Sequence, residues 1–396
     1  MGNSIAAVAQ RRERILSALP KLGGALLFWL ATVLVQESNR AGFAEAAVLL
    51  VLMLFGVVIM LSADLAPARE QPEIGRALLI AISLLLAFQL VYAGARLVHP
   101  RIGDIGHWVF AGGQAMLQWQ NPYLSALDPT SLAALGPRFQ GYKYLPLMGW
   151  TYLPLGLPFG DRGLVATNLL LQLATVALVW RLARRLGTET AGRVAACLYL
   201  AMPLVVLQVL SKGSTDLVPV VPLMLALLSW ERRPGMAGLL VGLSIAAKLT
   251  PGALVAPCLL PPTWPARRRY VLGLALGLLP ILPYASGAPS AFFDDIVAFN
   301  LVRASDASSW LMTMPAGVVW AAHGTLLLLP LAALVIVWRR PLTLFLRCGL
   351  CALLILASLL LGPSPHQNYH LWWLPLYSAL VAVTLTRLPK ADRRRV

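Results

Sequence analysis

The chain has 396 residues, of which 59% are apolar and only 12% are charged, and its mean hydropathy is +0.74. These values exclude a soluble globular protein, in which about a quarter of the residues are charged, and a disordered chain, which needs low hydrophobicity. The formal net charge of +16 would suit a nucleic-acid-binding protein, but the basic residues are spread in short groups between long apolar blocks. The composition therefore predicts an all-α polytopic membrane protein without a nucleic-acid partner.

A helix needs about 20 apolar residues to cross a hydrocarbon core of about 30 Å. The apolar blocks predict about 12 spans of this kind, several of them short. A broken or re-entrant helix is expected on either side of Thr250-Pro251, because proline interrupts helical hydrogen bonding. The apolar stretch 144–158 contains three prolines and is expected to be a juxtamembrane helix. The predicted spans are 22–37, 44–62, 77–97, 163–183, 192–211, 216–230, 235–248, 251–263, 270–286, 315–338, 342–361 and 370–387.

The distribution of Lys and Arg orients the chain, because cytoplasmic loops retain positive charge. Most of the 32 basic residues face the cytoplasm if the N-terminus lies inside, and a crossing at 144–158 would place Arg181, Arg184 and Arg185 outside. The first apolar block lacks a cleavage pattern and is expected to act as a signal anchor in the plasma (inner) membrane. The predicted parts are a cytoplasmic N-terminus 1–21, N-terminal spans 22–97, an outer loop 98–162, a transmembrane core 163–387 with an outer loop 287–314, and a basic cytoplasmic tail 388–396.

The first outer loop carries the first candidate functional residues. Asp104 follows a span and precedes a stretch typical of an interfacial helix, in which Trp108 and Trp119 favour the membrane boundary. A carboxylate at this depth can meet a lipid-borne substrate, but Asp is also a common helix N-cap, and both roles stay open. Lys143 lies between two tyrosines, where its side chain either extends toward the interface or binds a phosphate as a point charge.

Two polar sites interrupt the predicted core. The segment 212–216, which ends at Asp216, forms a polar hinge between two spans. Lys248 lies inside an apolar block, where a cation costs about 2.5–3.5 kcal/mol on insertion scales. Lys248 is therefore expected to face a polar cavity, and the break beside it requires partners for the freed backbone groups.

The two outer loops nearer the C-terminus contain acids and histidines. Asp294 and Asp295 are adjacent and could bind a divalent cation, but a pair without a spaced third ligand is more typical of solvated loop acids. His366 and His370 lie four residues apart at the mouth of a span. Either histidine alone suggests a structural residue at the interface, whereas two on the same membrane face as Asp104 favour a function.

In their order along the chain, these motifs resemble the polyprenol-phosphate-sugar-dependent glycosyltransferases of the GT-C fold, and in particular the actinobacterial mannosyltransferases that elongate phosphatidylinositol mannosides. The resemblance spans 96–387, and Asp104 follows the third predicted span where the family places it after the first. Spans 22–37 and 44–62 therefore look like an N-terminal addition. The motifs are Asp104 with Trp108–Gly113, Asn121-Pro122-Tyr123, Tyr144-Leu145-Pro146, Gly213-x-x-Asp216, Gly238–Gly242 leading to Lys248-Leu249-Thr250-Pro251, and Ser364 through Pro375.

The resemblance implies a GT-C-like helical bundle and an inverting glycosyltransferase that moves one sugar, with mannose favoured, from a polyprenyl-phosphate donor to a lipid-linked or glycan acceptor on the outer membrane face. It implies no metal ion or cofactor, and the partners are the donor, the acceptor and membrane lipids. A phosphate leaving group needs no general acid, so one carboxylate suffices where glycoside hydrolases use two. The implied base is Asp104, and a histidine, His370 or His366, would stabilise the phosphate. The other implied residues are Lys143, Lys248, Arg303 and Arg138 at the donor phosphate, and His107, Tyr144, Asp216, Trp310 and Tyr369 at the substrates.

Two other classes of protein stay open as alternatives. A transporter or flippase of lipid-linked sugars would also use an intramembrane lysine and broken helices, although no inverted repeat is evident in the sequence. A polymerase or ligase of surface polysaccharide would share the membrane location and the outward-facing site. The products separate the three classes: one added sugar, a moved lipid or a lengthened chain.

Overall fold

The computed structural model describes residues 72–125, 141–302, 311, 314–362 and 367–386, and in these ranges the chain is helical without a β-strand. The all-α prediction is confirmed. The predicted spans 22–37 and 44–62 and the tail 388–396 lie outside the described residues. The main helices are α1 (Pro72–Val98), α2 (Asp104–Leu117), α3 (Pro146–Phe159), α4 (Asp161–Leu186), α5 (Glu189–Leu200), α6 (Leu217–Ser229), α7 (Pro234–Ala247), α8 (Leu249–Val255), α9 (Trp264–Leu278), α10 (Ala316–Arg339), α11 (Leu344–Leu361) and α12 (Leu374–Thr386).

Several helices in the described part of the chain are long and apolar enough to cross a membrane. Five qualify by length and composition, and the pair Glu189–Leu200 and Pro203–Ser211, bent by 57°, is a sixth candidate. The prediction of a polytopic membrane protein is confirmed, whereas the total of about 12 spans stays a prediction. The five are Gly75–Val98, Asp161–Leu186, Trp264–Gly287, Ala316–Arg339 and Leu344–Leu361.

The chain divides into two compact units. The described part of the first consists of 72–89, 179–206 and 377–386, where Nε2 of Gln89 donates a buried hydrogen bond of 3.1 Å to the carbonyl oxygen of Leu200. The second unit consists of Leu90–Leu178 and Leu207–Leu376. It contains every candidate site residue that the structure describes. The predicted domain boundaries stay predictions.

The segment predicted as the first outer loop contains α2, which confirms the helix expected after residue 104. Its N-cap is Gly103, so the alternative in which Asp104 caps the helix is wrong: Asp104 is already the first helical residue. Val109 is fully buried against Met148 and Tyr152 of α3, whereas Ile105 is exposed. Packing against α3 therefore decides which side of α2 is buried.

The stretch 144–158, predicted not to be a full crossing, forms the short helix α3. The helix has 14 residues, which at 1.5 Å per residue give about 21 Å, less than the thickness of the hydrocarbon core. The chain then turns directly into α4 at Gly160, whose φ of +54° lies in the left-handed region that favours glycine. The two helices are therefore separate elements.

Two facing pairs of glycines join α7 to α9. Gly238 and Gly242 of α7 lie four residues apart, and so do Gly273 and Gly277 of α9. A methyl group added at Gly238 would overlap the carbonyl oxygen of Tyr270 in α9. Small residues at this spacing let membrane helices approach until their backbones touch. This contact fixes α7, at whose end the chain breaks.

The broken helix is confirmed, and the break lies at Lys248, whose backbone is extended (φ −152°, ψ 126°), two residues before the predicted Thr250-Pro251. The second half of the broken helix is α8 with a 3-10 continuation to Leu259. Pro251 lies in the first turn of α8, where a backbone N–H would have no acceptor within the helix. The proline therefore does not interrupt α8, and the break lies at Lys248.

Buried donors bind the carbonyl groups at the far end of this second half. Arg347 is fully buried and donates through Nη1 to the carbonyl oxygens of Cys258 and Leu260, the latter at 3.0 Å. The indole of Trp230 lies under the guanidinium, 4.2 Å from its centre, and donates to the carbonyl oxygen of Leu259 at 2.7 Å. These bonds satisfy carbonyl groups at the end of a helical segment, which lack partners within the helix.

The variant Gly238→Ala tests the contact between α7 and α9. We expect a lower unfolding temperature for the detergent-solubilised protein, because overpacking against backbone costs about 1–3 kcal/mol. The matched control is Gly349→Ala in α11, where nothing lies within 4 Å of the added methyl group. There alanine is favoured over glycine by about 0.5–1 kcal/mol in a helix. An unfolding temperature for Gly238→Ala equal to that of the control would contradict the contact.

Candidate active site

Asp216 is a fully buried carboxylate that accepts hydrogen bonds from four side chains. Ser214 and Asn368 donate to Oδ2, whereas Nζ of Lys248 and Nε1 of Trp372 donate to Oδ1 at 2.8 and 2.9 Å. These donors replace the water that a buried carboxylate has lost. They come from the hinge before α6, the break between α7 and α8, and the 3-10 segment before α12. Asp216 thus joins three distant parts of the sequence.

Lys248 pairs with Asp216 and lies among aromatic rings. Its Nζ is 4.3 Å from the ring centroid of Tyr369, 4.9 Å from that of Trp372 and 5.7 Å from that of Tyr144. The rings of Tyr369 and Trp372 are stacked, with centroids 4.4 Å apart and an interplanar angle of 16°. Aromatic faces attract a cation, and they do so more strongly where water is excluded. The Lys248 side chain nevertheless stays 15% exposed. The cation is therefore held by its partners but is still accessible from outside the protein.

The start of α2 lies beside the hinge that ends at Asp216. The amide of Gly103 donates to the carbonyl oxygen of Lys212 at 3.2 Å. Gly213, which follows Lys212 in the hinge, has a φ of +68°, a value that glycine adopts at little cost. The backbone of Asp104, the first residue of α2, is therefore next to the hinge that carries Asp216.

Lys143 forms a second buried ion pair, with Asp295. Its Nζ contacts Oδ1 of Asp295 and donates to the carbonyl oxygen of Gly141 at 3.0 Å, and the Lys and Asp side chains are 7% and 1% exposed. The expectation of solvated loop acids is wrong for Asp295, because its neighbour Ile296 belongs to a buried cluster with Tyr142 and draws the segment inward. Burial raises the pKa of Asp295 above its usual value, and Lys143 opposes this rise.

Tyr144 connects the region of this second pair with Lys248. Its carbonyl oxygen accepts a hydrogen bond of 2.8 Å from the hydroxyl of Tyr123, and its ring lies 5.8 Å from that of Tyr142. Burial raises the pKa of both Tyr123 and Tyr142, so their hydroxyls stay neutral. Lys143 and Tyr144 are adjacent in sequence, yet one contacts Asp295 and the other faces Lys248.

The two described histidine candidates have local partners. Nδ1 of His370 accepts a hydrogen bond of 3.1 Å from Nε1 of Trp373, and the two rings meet edge to face. His107 is exposed on α2, with Nδ1 3.6 Å from Oδ1 of Asp161. The roles of both histidines stay predictions.

Several predicted site residues lie outside the described residues. For Asp104 the structure describes the backbone, not the side chain. In the part of the chain that is described, no group of three or more His, Cys, Asp or Glu side chains is placed to hold a metal ion. The predicted residues outside the description are Arg138, Arg303, Trp310 and His366.

Sequence reasoning missed the donors around Asp216. Ser214, Asn368 and Trp372 were not predicted as site residues, although Asn368 lies between the two candidate histidines. A partial signal was available, since a lysine within an apolar span requires a partner. No local pattern, however, relates Lys248 to a carboxylate in a hinge 32 residues away.

Comparison with solved structures finds the same fold in ArnT from Cupriavidus metallidurans. The structure of ArnT bound to undecaprenyl phosphate superposes with a TM-score of 0.56, and that of its apo state with 0.52. Both share 16% sequence identity with this chain, and the alignments cover 78% of this chain and 60% of ArnT. The chain thus spans about 60% of the length of ArnT, and a likeness at this identity shows the fold alone. It confirms the GT-C-like helical bundle.

Comparison with proteins of curated function finds no significant match. The family model of glycosyltransferase family 87 matches residues 142–363, which is more than half of the chain. This range includes both buried ion pairs, Lys248 with Asp216 and Lys143 with Asp295. The enzyme class expected from the sequence is confirmed, and the chain belongs to glycosyltransferase family 87.

Proposed function

We propose that this glycosyltransferase moves a single sugar, with inversion, from a polyprenyl-phosphate donor to a lipid-linked or glycan acceptor on the extracytoplasmic side of the plasma membrane. The observation that carries the proposal is the placement of Lys248 at a break between two apolar helices, paired with Asp216 and partly exposed. ArnT, which shares the fold, binds undecaprenyl phosphate, and this supports a polyprenyl phosphate as the leaving group. The resemblance to mannosyltransferases favours mannose as the sugar.

Lys248 provides the cation for the donor phosphate. A sugar phosphodiester carries one negative charge, and a second charge develops on the phosphate when its bond to the anomeric carbon breaks. A cation that is already in place stabilises this charge without reorganisation at the moment of reaction. Because Lys248 lies between apolar helices, the polyprenyl chain would extend among the spans while the phosphate meets the lysine.

Asp104 is the proposed general base. It would accept the proton of the acceptor hydroxyl while that oxygen attacks the anomeric carbon on the face opposite the phosphate. The new bond from carbon to oxygen forms as the bond to the phosphate breaks, so the configuration inverts. The proximity of the first turn of α2 to the hinge before Asp216 supports this assignment.

We assign Lys143 a supporting role and not a direct contact with the phosphate. Its side chain is 7% exposed and already paired with Asp295, and the pair joins the first outer loop to the segment 289–302. This connection holds Tyr144, the next residue, against Lys248.

The variant Asp104→Asn tests the base. With purified protein, a polyprenyl-phosphate sugar and an acceptor lipid, we expect kcat to fall about 100-fold or more, because general base catalysis contributes about 10²–10⁴-fold. Glu231→Gln, an exposed acid between α6 and α7, is the control. Turnover of Asp104→Asn near that of the control would remove Asp104 as the base. Mass analysis of the wild-type product should show one added sugar, and a lengthened chain would instead support a polymerase.

The variant Lys248→Ala tests the donor site. We expect KM for the donor to rise about tenfold or more, since a charged hydrogen bond contributes about 1.5–3 kcal/mol, while KM for the acceptor stays unchanged. Lys248→Arg keeps the charge and should recover part of the affinity. A folded Lys248→Ala protein with unchanged donor affinity would reject this role for Lys248.

The variant Asp295→Asn tests the supporting pair. It leaves the Lys143 cation buried without its countercharge, so we expect a loss of about 3–5 kcal/mol in stability and a lower unfolding temperature. Asp294→Asn, at the half-buried neighbouring acid, is the control. The double variant Lys143→Met with Asp295→Leu should recover most of the stability together with donor affinity. Recovery of stability without donor affinity would instead indicate that Lys143 binds the phosphate directly.

A further inference from the structure

We infer that Asp216 is a positioning residue that acts on the donor through Lys248 and Trp372, and does not itself touch substrate. The inference rests on the proposed function, in which Lys248 binds the donor phosphate. It replaces the role expected from the sequence, a direct substrate contact by Asp216.

The hydrogen bonds of Asp216 leave no place for a substrate. An ionised carboxylate accepts at about four lone-pair sites, and four side chains of the protein already donate to it. The side chain is also completely buried. A sugar hydroxyl would have to displace one of these donors, and a phosphate would in addition be repelled by the negative charge.

One oxygen of Asp216 fixes both the cation and its aromatic surroundings. Oδ1 accepts from Nζ of Lys248 and from Nε1 of Trp372. The ring of Trp372 stacks on Tyr369, and both rings lie within 5 Å of Nζ. Loss of the carboxylate would therefore remove one hydrogen bond from Lys248 and one from Trp372 at the same time.

Asn368 holds the carboxylate from its other side. Its Nδ2 donates to Oδ2, four residues before Trp372 donates to Oδ1. Two side chains of the short 3-10 helix Gln367–Trp372, those of Asn368 and Trp372, thus donate to the two oxygens of the carboxylate. The carboxylate is therefore oriented before a substrate binds. Because Nζ of Lys248 donates to it, the position of the lysine is set as well.

Fixing the Lys248 side chain before the donor binds should increase kcat/KM for the donor. A lysine has a flexible four-carbon stem and loses rotamer entropy when it is fixed. If Asp216 fixes it during folding, this cost does not reduce donor binding or transition-state stabilisation. The charge of Asp216 also compensates the buried cation while the site is empty.

A double-mutant cycle tests this inference. Asp216→Asn, Lys248→Met and the double variant are compared with wild type for kcat and for KM of donor and acceptor, per folded protein. We expect Asp216→Asn to lower kcat/KM for the donor about 10–100-fold and to leave KM for the acceptor unchanged. In the Lys248→Met background the same change should cost less than about twofold, because residues that act through one another are not additive.

The outcomes distinguish the inference from the proposed function. Additive losses in the cycle would overturn the inference alone, because Asp216 would then act independently of Lys248. Unchanged donor kinetics in Lys248→Met would overturn the proposed donor site and the inference with it. A rise in acceptor KM for Asp216→Asn would also contradict the inference, and Glu231→Gln again serves as control.

A second variant covers the case in which Asp216→Asn does not fold. Trp372→Phe keeps an aromatic ring near Lys248 but removes the Nε1 donor to Asp216. We expect donor affinity to fall about threefold or more, which is less than the effect of a direct hydrogen bond to a charged group because Trp372 acts on the donor through Asp216 and Lys248. Donor and acceptor constants that both match wild type would overturn the inference.

Discussion

A lysine between apolar helices is stable only when its charge is compensated, and the Lys248–Asp216 pair is the constraint on which the rest of the site depends. The carboxylate is itself buried, so it in turn requires donors on both oxygens. The hinge before α6 and the segment before α12 supply them through Ser214, Asn368 and Trp372. One buried charge thus dictates that three distant segments converge.

The broken helix that presents Lys248 is held on both sides of the break. Before the break, the glycines of α7 let its backbone meet that of α9. After it, Arg347 and Trp230 bind the carbonyl groups that end the second half. An extended residue interrupts the hydrogen bonding of a helix, and its free backbone groups need other partners. With contacts on both sides, the interruption is limited to Lys248. The lysine is consequently carried by rigid elements, which is what a preorganised cation requires.

The local features of the fold could be predicted from the sequence, because hydropathy and proline act over short distances. The apolar blocks located α1, α4, α10 and α11, and the prolines of 144–158 excluded a crossing there. The break was placed within two residues of Lys248 for the same reason. The pairing of Lys248 with Asp216 and the burial of Asp295 could not be predicted, because they depend on contacts between segments far apart in sequence. The capping alternative for Asp104 was wrong because Gly103, which lies one residue earlier, already has the backbone of an N-cap.

The two ion pairs are connected through two adjacent residues, Lys143 and Tyr144. Lys143 is anchored to Asp295, and Tyr144 faces Lys248. A displacement of the segment 289–302 would therefore move Lys143, and through the next peptide bond it would move the ring of Tyr144, which lies beside Lys248. The segments 141–144 and 289–302 thereby connect the second ion pair with the aromatic rings around Lys248. The geometry at Lys248 depends on these two segments as well as on the broken helix.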